Sequence, residues 1–188
     1  MTAPRVALLI LLLLLLSPRM AAQDAGTDDE SALSEVILGL TLAEQGDHEN
    51  AVRAFELALL QYINSKPLLI ELAYSLFKLE RNERARIILE RVLELDSNDY
   101  LGNFNLGILH AVEGRYALAI VYFEHALHAA PNDVDALYCI GLCHIDQGES
   151  GRAMDVVRVL ATVDKERAAE LLEYLNDTDL ARNDPLAE

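Results

Sequence analysis

Two cysteines and a histidine have the spacing closest to that of a chemical site. Cys139 and Cys143 are separated by three residues, and His144 follows the second thiol directly. Covalent haem attachment uses two residues between the thiols, so this spacing is one residue too long. Thiols four positions apart on a helix also fit disulfide geometry poorly. We interpret both cysteines as buried structural residues, with haem attachment and a disulfide as the alternatives.

Four histidines lie close together in the sequence. His110 and His144 flank the closely spaced pair His125 and His128. Three or four imidazoles can bind zinc when a fold brings them together. Histidine is also a residue of intermediate burial that packs in cores and interfaces, and this is the reading we prefer. The sequence therefore predicts no metal site and no cofactor.

The motifs of catalysis are missing from the sequence. It contains no nucleophile elbow, phosphate-binding loop or zinc-protease pair. One segment alternates four arginines with glutamates, which is typical of a solvated helix stabilised by pairs three and four residues apart. We predict that the protein is not an enzyme. The four arginines are Arg81, Arg84, Arg86 and Arg91.

The composition limits the partners. The chain has 188 residues, 52% of them hydrophobic, and a formal net charge of −16. Surfaces that bind phosphate need dense lysine and arginine, so the charge argues against nucleic acid and against anionic lipid headgroups. The apolar content is too high for a disordered acidic chain. A folded domain with one sizeable core is expected.

The N-terminal segment has the pattern of an export signal. Arg5 precedes the apolar run Val6–Leu16, and Ser17 and Pro18 end that run. The run is too short to span a membrane as a helix. We expect residues 1–22 to be a cleaved signal peptide and the protein to be exported, either periplasmic or secreted. An uncleaved N-terminal anchor is the alternative. Residues 23–31 are expected to be an acidic, disordered lead-in.

A 34-residue repeat organises the rest of the chain. Five columns recur at this interval without an insertion, which predicts four units at 32–65, 66–99, 100–133 and 134–167. The columns are Gly39, Ala73, Gly107 and Gly141; Gly46, Glu80, Gly114 and Gly148; Ala51, Ala85, Ala119 and Ala153; Phe55, Leu89, Phe123 and Val157; and Ala58, Val92, Ala126 and Leu160.

Each unit has the pattern of two helices. In the third unit, Gly114 separates two stretches of helical apolar spacing, and Pro131 ends the second. Small residues at Gly107 and Ala119 allow the two helices to approach closely, and Phe123 fills the gap beside them. A single helix pair cannot bury both of its faces, so the sequence predicts an all-α solenoid in which neighbouring units stack.

These residues resemble the tetratricopeptide repeat. The third unit carries most of that family's signature, the second unit carries the least, and the resemblance covers residues 32–167. It implies a fold rather than a chemistry. A capping helix is expected at 166–175 and a flexible tail at 176–188. The matching residues of the third unit are Leu106, Gly107, Gly114, Tyr116, Ala119, Phe123, Ala126 and Pro131.

The resemblance implies that the first helices line a concave groove. Most of the positions at which they would do so are apolar, and so much apolar surface predicts binding of an apolar or amphipathic protein segment, with an acidic rim that favours basic flanks. The protein would then be a non-catalytic scaffold in an extracytoplasmic assembly. The expected groove residues are Val36, Leu40, Ile70, Tyr74, Phe77, Phe104, Ile108, Val112, Tyr138, Leu142 and Ile145.

Other occupants of the groove stay open at this stage. The chain could dimerise through it or fill it with its own terminal segment, and a small apolar ligand or haem is the alternative from another class. Some tetratricopeptide proteins hold a C-terminal carboxylate with lysine, asparagine and arginine. The corresponding positions here are apolar except for Tyr74, so we predict no such clamp.

Overall fold

The computed structural model describes the backbone of residues 26–182 and the side chains of residues 30–180. The predicted signal peptide at 1–22 lies outside the described residues, as do residues 183–188. Every regular element in the described part is a helix, and none of these helices is long and apolar enough to cross a membrane. They are α1 (Gly26–Glu44), α2 (His48–Gln61), α3 (Lys66–Lys78), α4 (Asn82–Leu95), α5 (Tyr100–Val112), α6 (Tyr116–Ala129), α7 (Val134–Asp146), α8 (Ser150–Val163) and α9 (Lys165–Arg182).

The helix boundaries repeat with the period of the sequence. The first helices α3, α5 and α7 begin one full period apart, and so do the second helices from α2 to α8. The turn inside each pair needs a left-handed residue, and Gly46, Gly114 and Gly148 supply it with φ of 81°, 73° and 77°. Glu80 holds the same place in the second repeat with φ of 58°. The chain therefore forms this turn even where glycine is missing.

Aspartate side chains cap the N-termini of several helices. The carboxylate of Asp99 accepts a hydrogen bond from the backbone N–H of Gly102 at 2.9 Å, and Asp133 accepts one from Ala136 at 2.8 Å. Asp47 caps α2 in the same way, from Asn50 at 3.2 Å. An N-cap carboxylate satisfies a backbone donor that the helix itself leaves unpaired.

Helices α1 to α4 form one unit, residues 26–95. In this unit α1 packs on α2, α2 on α3 and α3 on α4. A Cβ at Gly39 would lie 2.7 Å from the ring of Phe55, which is fully buried. The small residue thus brings the two helix axes together over the aromatic ring, as the spacing predicts.

Helices α5 to α9 form the second unit, residues 96–182. Gly107 and Phe123 repeat the close contact of unit 1, at 2.6 Å from the hypothetical Cβ. Gly141 instead packs against Leu171 of α9, with no room for a Cβ. Leu171 and Leu175 are buried against α7 and α8, so α9 closes the end of the core.

Two boundaries differ from those predicted. The helix α1 starts at Gly26, inside the segment 23–31 that was expected to be disordered, because extending an existing helix over residues without proline costs little. The cap α9 runs to Arg182 instead of ending at 175. Part of the expected tail is therefore helical, held where Ser150 of α8 donates a hydrogen bond of 2.7 Å to Asp179.

Candidate functional site

The first helices of unit 2 present a row of apolar side chains. Helix α5 carries Phe104, Ile108 and Val112 at intervals of four residues, and α7 carries Tyr138 and Leu142 at the equivalent positions. Residues four apart lie on one side of a helix, and α5 packs beside α7. We call these five residues the first-helix face of unit 2. Val112 is 62% exposed and the other four are partly buried.

Phe104 is held in place by two neighbouring rings. It stacks on Tyr100 with the ring centroids 5.6 Å apart, and it meets Phe123 at 5.5 Å in a tilted arrangement. Burial, with a hydrogen bond to Asp133, raises the pKa of Tyr100 well above its ordinary value of 10. The phenol therefore stays protonated and ties α5 to the start of α7. These contacts fix the orientation of Phe104 before any partner binds.

The capping helix covers the other aromatic of this face. The guanidinium of Arg167 lies over the ring of Tyr138, 4.3 Å from its centroid. Arg167 also pairs with Asp135 of α7 at 3.3 Å and with Glu170 of α9 at 2.8 Å. The open part of the first-helix face therefore lies on α5 rather than on α7.

Three of the expected groove residues are core residues instead. Val36 and Ile145 have no exposed surface, and Leu40 is buried as well. In unit 1 the helix α1 contacts both α2 and α3, and in unit 2 α7 contacts α8 and α9, so side chains on the enclosed sides are covered. The structure therefore corrects these three assignments.

The remaining groove residues of unit 1 lie on α3. Ile70 and Phe77 are partly buried, and Tyr74 is 45% exposed. The His48 and Tyr74 rings form a T-shaped pair with centroids 5.9 Å apart, and Nζ of Lys78 lies 5.3 Å from the centroid of the Tyr74 ring. Tyr74 is thus the most accessible of the three, and it carries a cation at its side.

The two cysteines lie on α7 and are not joined in a disulfide. Both thiols are free, Cys143 being buried and Cys139 partly buried. Burial raises the pKa of Cys139 to about 11 and that of Cys143 to about 12. Thiolate is the form that attacks disulfides and binds metals, so both thiols have low reactivity.

The histidines make separate local contacts. His110 stacks on Tyr122 with centroids 5.1 Å apart, and Nδ1 of His144 lies 2.8 Å from Oε2 of Glu149. Exposed His125 and His128 lie with their ring centroids 6.3 Å apart on the outer side of α6. The described residues contain no group of three or more histidine, cysteine or acidic side chains that could hold a metal ion.

Long-range ion pairs were missed by the sequence reasoning. The arginine-rich segment was expected to pair locally, as Arg91 does with Glu94 at 2.7 Å. However, Arg81 reaches Glu49 at 2.7 Å and Arg84 reaches Glu56 at 2.6 Å, both in the preceding repeat. The partners of these two pairs are 32 and 28 residues apart in the sequence, which is close to one repeat period and could have indicated the contacts. These pairs join the two repeats of unit 1.

Comparison with family models identifies the repeat. A model described as tetratricopeptide repeat matches residues 70–134 and 114–170, which together span more than half of the chain. A second model of the same description matches residues 36–60. No protein of curated function matches the chain.

Solved structures show the same fold at low sequence identity. MamA 41-end from Desulfovibrio magneticus RS-1 is 18% identical, covers 85% of this chain and 99% of its own, and superposes with a TM-score of 0.67. YrrB, described as a TPR protein with an unusual peptide-binding site, is 24% identical, covers 79% of this chain and 78% of its own, and also has a TM-score of 0.67. The predicted fold class, an all-α solenoid of helix pairs with a C-terminal capping helix, is confirmed.

Proposed function

The chain belongs to the tetratricopeptide repeat family, and from this premise we propose that it is a non-catalytic scaffold that binds an apolar or amphipathic segment of another protein. The first-helix face of unit 2 is the proposed site. Proteins of this fold present side chains from their first helices, and YrrB is described as having a peptide-binding site. The similarity to YrrB supports a peptide segment as the class of ligand.

The main observation that supports this binding site is the exposed apolar surface of α5. Val112 is 62% exposed and Leu101 is 46% exposed, while Phe104 between them is oriented by two rings. Burial of such surface contributes about 25 cal/mol per Å². No charged residue interrupts α5 from Tyr100 to Leu109, so an apolar segment can lie along it without desolvating a charge.

We further propose that the scaffold works outside the cytoplasm. The support is the apolar run Val6–Leu16 behind Arg5, which lies outside the described residues. If this segment is an export signal, the protein recovered from its source begins near Gln23. Intact-mass measurement of that protein tests the proposal, and a mass that includes Met1 contradicts cleavage.

Site-specific photo-crosslinking tests the binding face. A photoreactive amino acid at position 112 should crosslink to a discrete partner, and one at position 101 should capture the same partner. Val159 is an exposed apolar residue of the second helix α8 and provides the matched control. Equal capture from positions 112 and 159, or crosslinks only to a second copy of the chain, would contradict the proposed partner binding.

A further inference from the structure

The outward side of α1 is apolar and exposed, whereas the corresponding side of α3 is covered. In unit 1, α3 packs against α2, and its Leu72 is buried. Leu38 is the equivalent residue of α1, one repeat earlier, and it is 48% exposed, with Ile37 beside it 40% exposed. In unit 1, α1 packs against α2 and α3. This side of α1 is built like a packing surface and has no described element on it.

A partner could cover the polar residues on this side of α1 with little loss of free energy from desolvation. Ser34 and Thr41 lie three positions before Ile37 and three after Leu38, on the same exposed side. The hydroxyl of Thr41 already donates a hydrogen bond of 2.8 Å to the carbonyl oxygen of Ile37. Covering Thr41 therefore leaves no unsatisfied hydroxyl donor. We call Glu30, Ser34, Ile37, Leu38, Thr41 and Glu44 the α1 outer face.

Two carboxylates mark the ends of this face. Glu30 and Glu44 are exposed and lie seven residues before and seven residues after Ile37, on the same side of the helix. Their Cα atoms are about 21 Å apart along the axis. Within the part of the chain that the structure describes, neither forms an ion pair. Two copies meeting through this face would bring these like charges together, which disfavours a dimer.

We propose that the α1 outer face binds an amphipathic helix of a partner protein that carries basic residues at both ends of its apolar stripe. The stripe packs on Ile37 and Leu38, in the place that α2 takes on α3. The basic residues pair with Glu30 and Glu44. This contact is separate from the first-helix face of unit 2 and does not depend on the function proposed there.

Two synthetic helices serve as probes. Each is an alanine-rich peptide of about 18 residues with a leucine stripe, carrying two lysines 14 positions apart in one probe and two glutamates in the other. Fluorescence anisotropy with the full chain should show binding of the lysine probe only, weakened by salt. Leu38→Asn should reduce its affinity roughly tenfold. Glu30→Lys with Glu44→Lys should reverse the preference towards the glutamate probe.

Matched controls make the proposal falsifiable. Leu60 on the outer side of α2 is 79% exposed, and Leu60→Asn should leave the affinity unchanged. Equal binding of both probes, or an equal loss with Leu60→Asn, would overturn the proposal. A photoreactive residue at position 38 that crosslinks to a second copy, or to residues 1–25 of the same chain, would assign the face to that occupant and also overturn it. Crosslinking at position 112 reports separately on the function proposed for unit 2.

Discussion

The guanidinium of Arg167 lies 4.3 Å from the centre of the Tyr138 ring and joins the capping helix α9 to the first helix α7. The same group pairs with Asp135 at 3.3 Å, so one side chain makes a cation–π contact and an ion pair with one helix. Arg167 therefore covers Tyr138, which belongs to the α7 part of the first-helix face of unit 2.

Removing this contact should weaken the cap. We expect Arg167→Ala to lower the free energy of unfolding, because it removes a cation–π contact and an ion pair that join α9 to α7. Urea unfolding followed by circular dichroism measures the change. Arg158→Ala removes an arginine that pairs only within α8, with Asp155, and should cost less. Equal effects of the two variants would show that Arg167 has no special role at Tyr138.

Replacing Glu80 in its left-handed turn should stabilise the protein. Its φ of 58° is unfavourable for a residue with a Cβ, and the other three turns use glycine. We expect Glu80→Gly to stabilise the protein by about 0.5–1 kcal/mol and Gly114→Ala to destabilise it by a similar amount. A Cβ at Gly114 would meet no atom within 4 Å, so its effect is purely conformational. Thermal unfolding of both variants checks the signs, and a destabilising Glu80→Gly contradicts the argument.

The contact between Gly107 and Phe123 should tolerate no added methyl group. A Cβ at Gly107 would lie 2.6 Å from the buried ring, so Gly107→Ala should cost about 1–3 kcal/mol through overpacking. Phe123→Leu in the same chain should recover part of this loss. Gly151→Ala, where nothing lies within 4 Å, should not destabilise. Urea midpoints of the three variants test the contact, and it would be refuted if Gly107→Ala unfolded like the unaltered chain.

Stability should depend on pH through Glu149. The hydrogen bond from His144 holds the pKa of this carboxyl below its ordinary value of 4.5. A lowered pKa in the folded state adds stability that is present above pH 4.5 and is lost as the pH falls through the lowered value. The destabilisation by Glu149→Gln should therefore be larger near pH 6 than near pH 3. Glu124→Gln on the exposed side of α6 is the control, and an equal pH profile for both variants would contradict the role of His144.

The thiols should react slowly in the folded protein. Burial raises the pKa of Cys139 to about 11, so the thiolate fraction at pH 8 is about 100-fold lower than for an ordinary thiol. We expect slow reaction with a disulfide reagent under native conditions and fast reaction in concentrated urea. Reaction at the same rate in both conditions would show that the cysteines are accessible.

Much of the fold was predictable because the repeat has a direct steric cause. Gly107 makes the close contact with Phe123 that their spacing predicts, and Gly114 supplies the predicted left-handed residue of the turn. The candidate face was only partly predictable. The repeat interval marks equivalent positions, but Leu40 is buried whereas its equivalent one repeat later, Tyr74, is 45% exposed, because each helix has different neighbours.

The sequence by itself determined the all-α class, the period, the small-to-large contacts and the acidic charge, because each of these follows from residue types at short and regular separations. Only the tertiary structure decided that Arg167 covers Tyr138, that Arg81 reaches Glu49 and that Leu38 is left exposed. Each of these depends on which helix lies beside which. The burial of a side chain is decided by these neighbours, and its position within the repeat does not specify them.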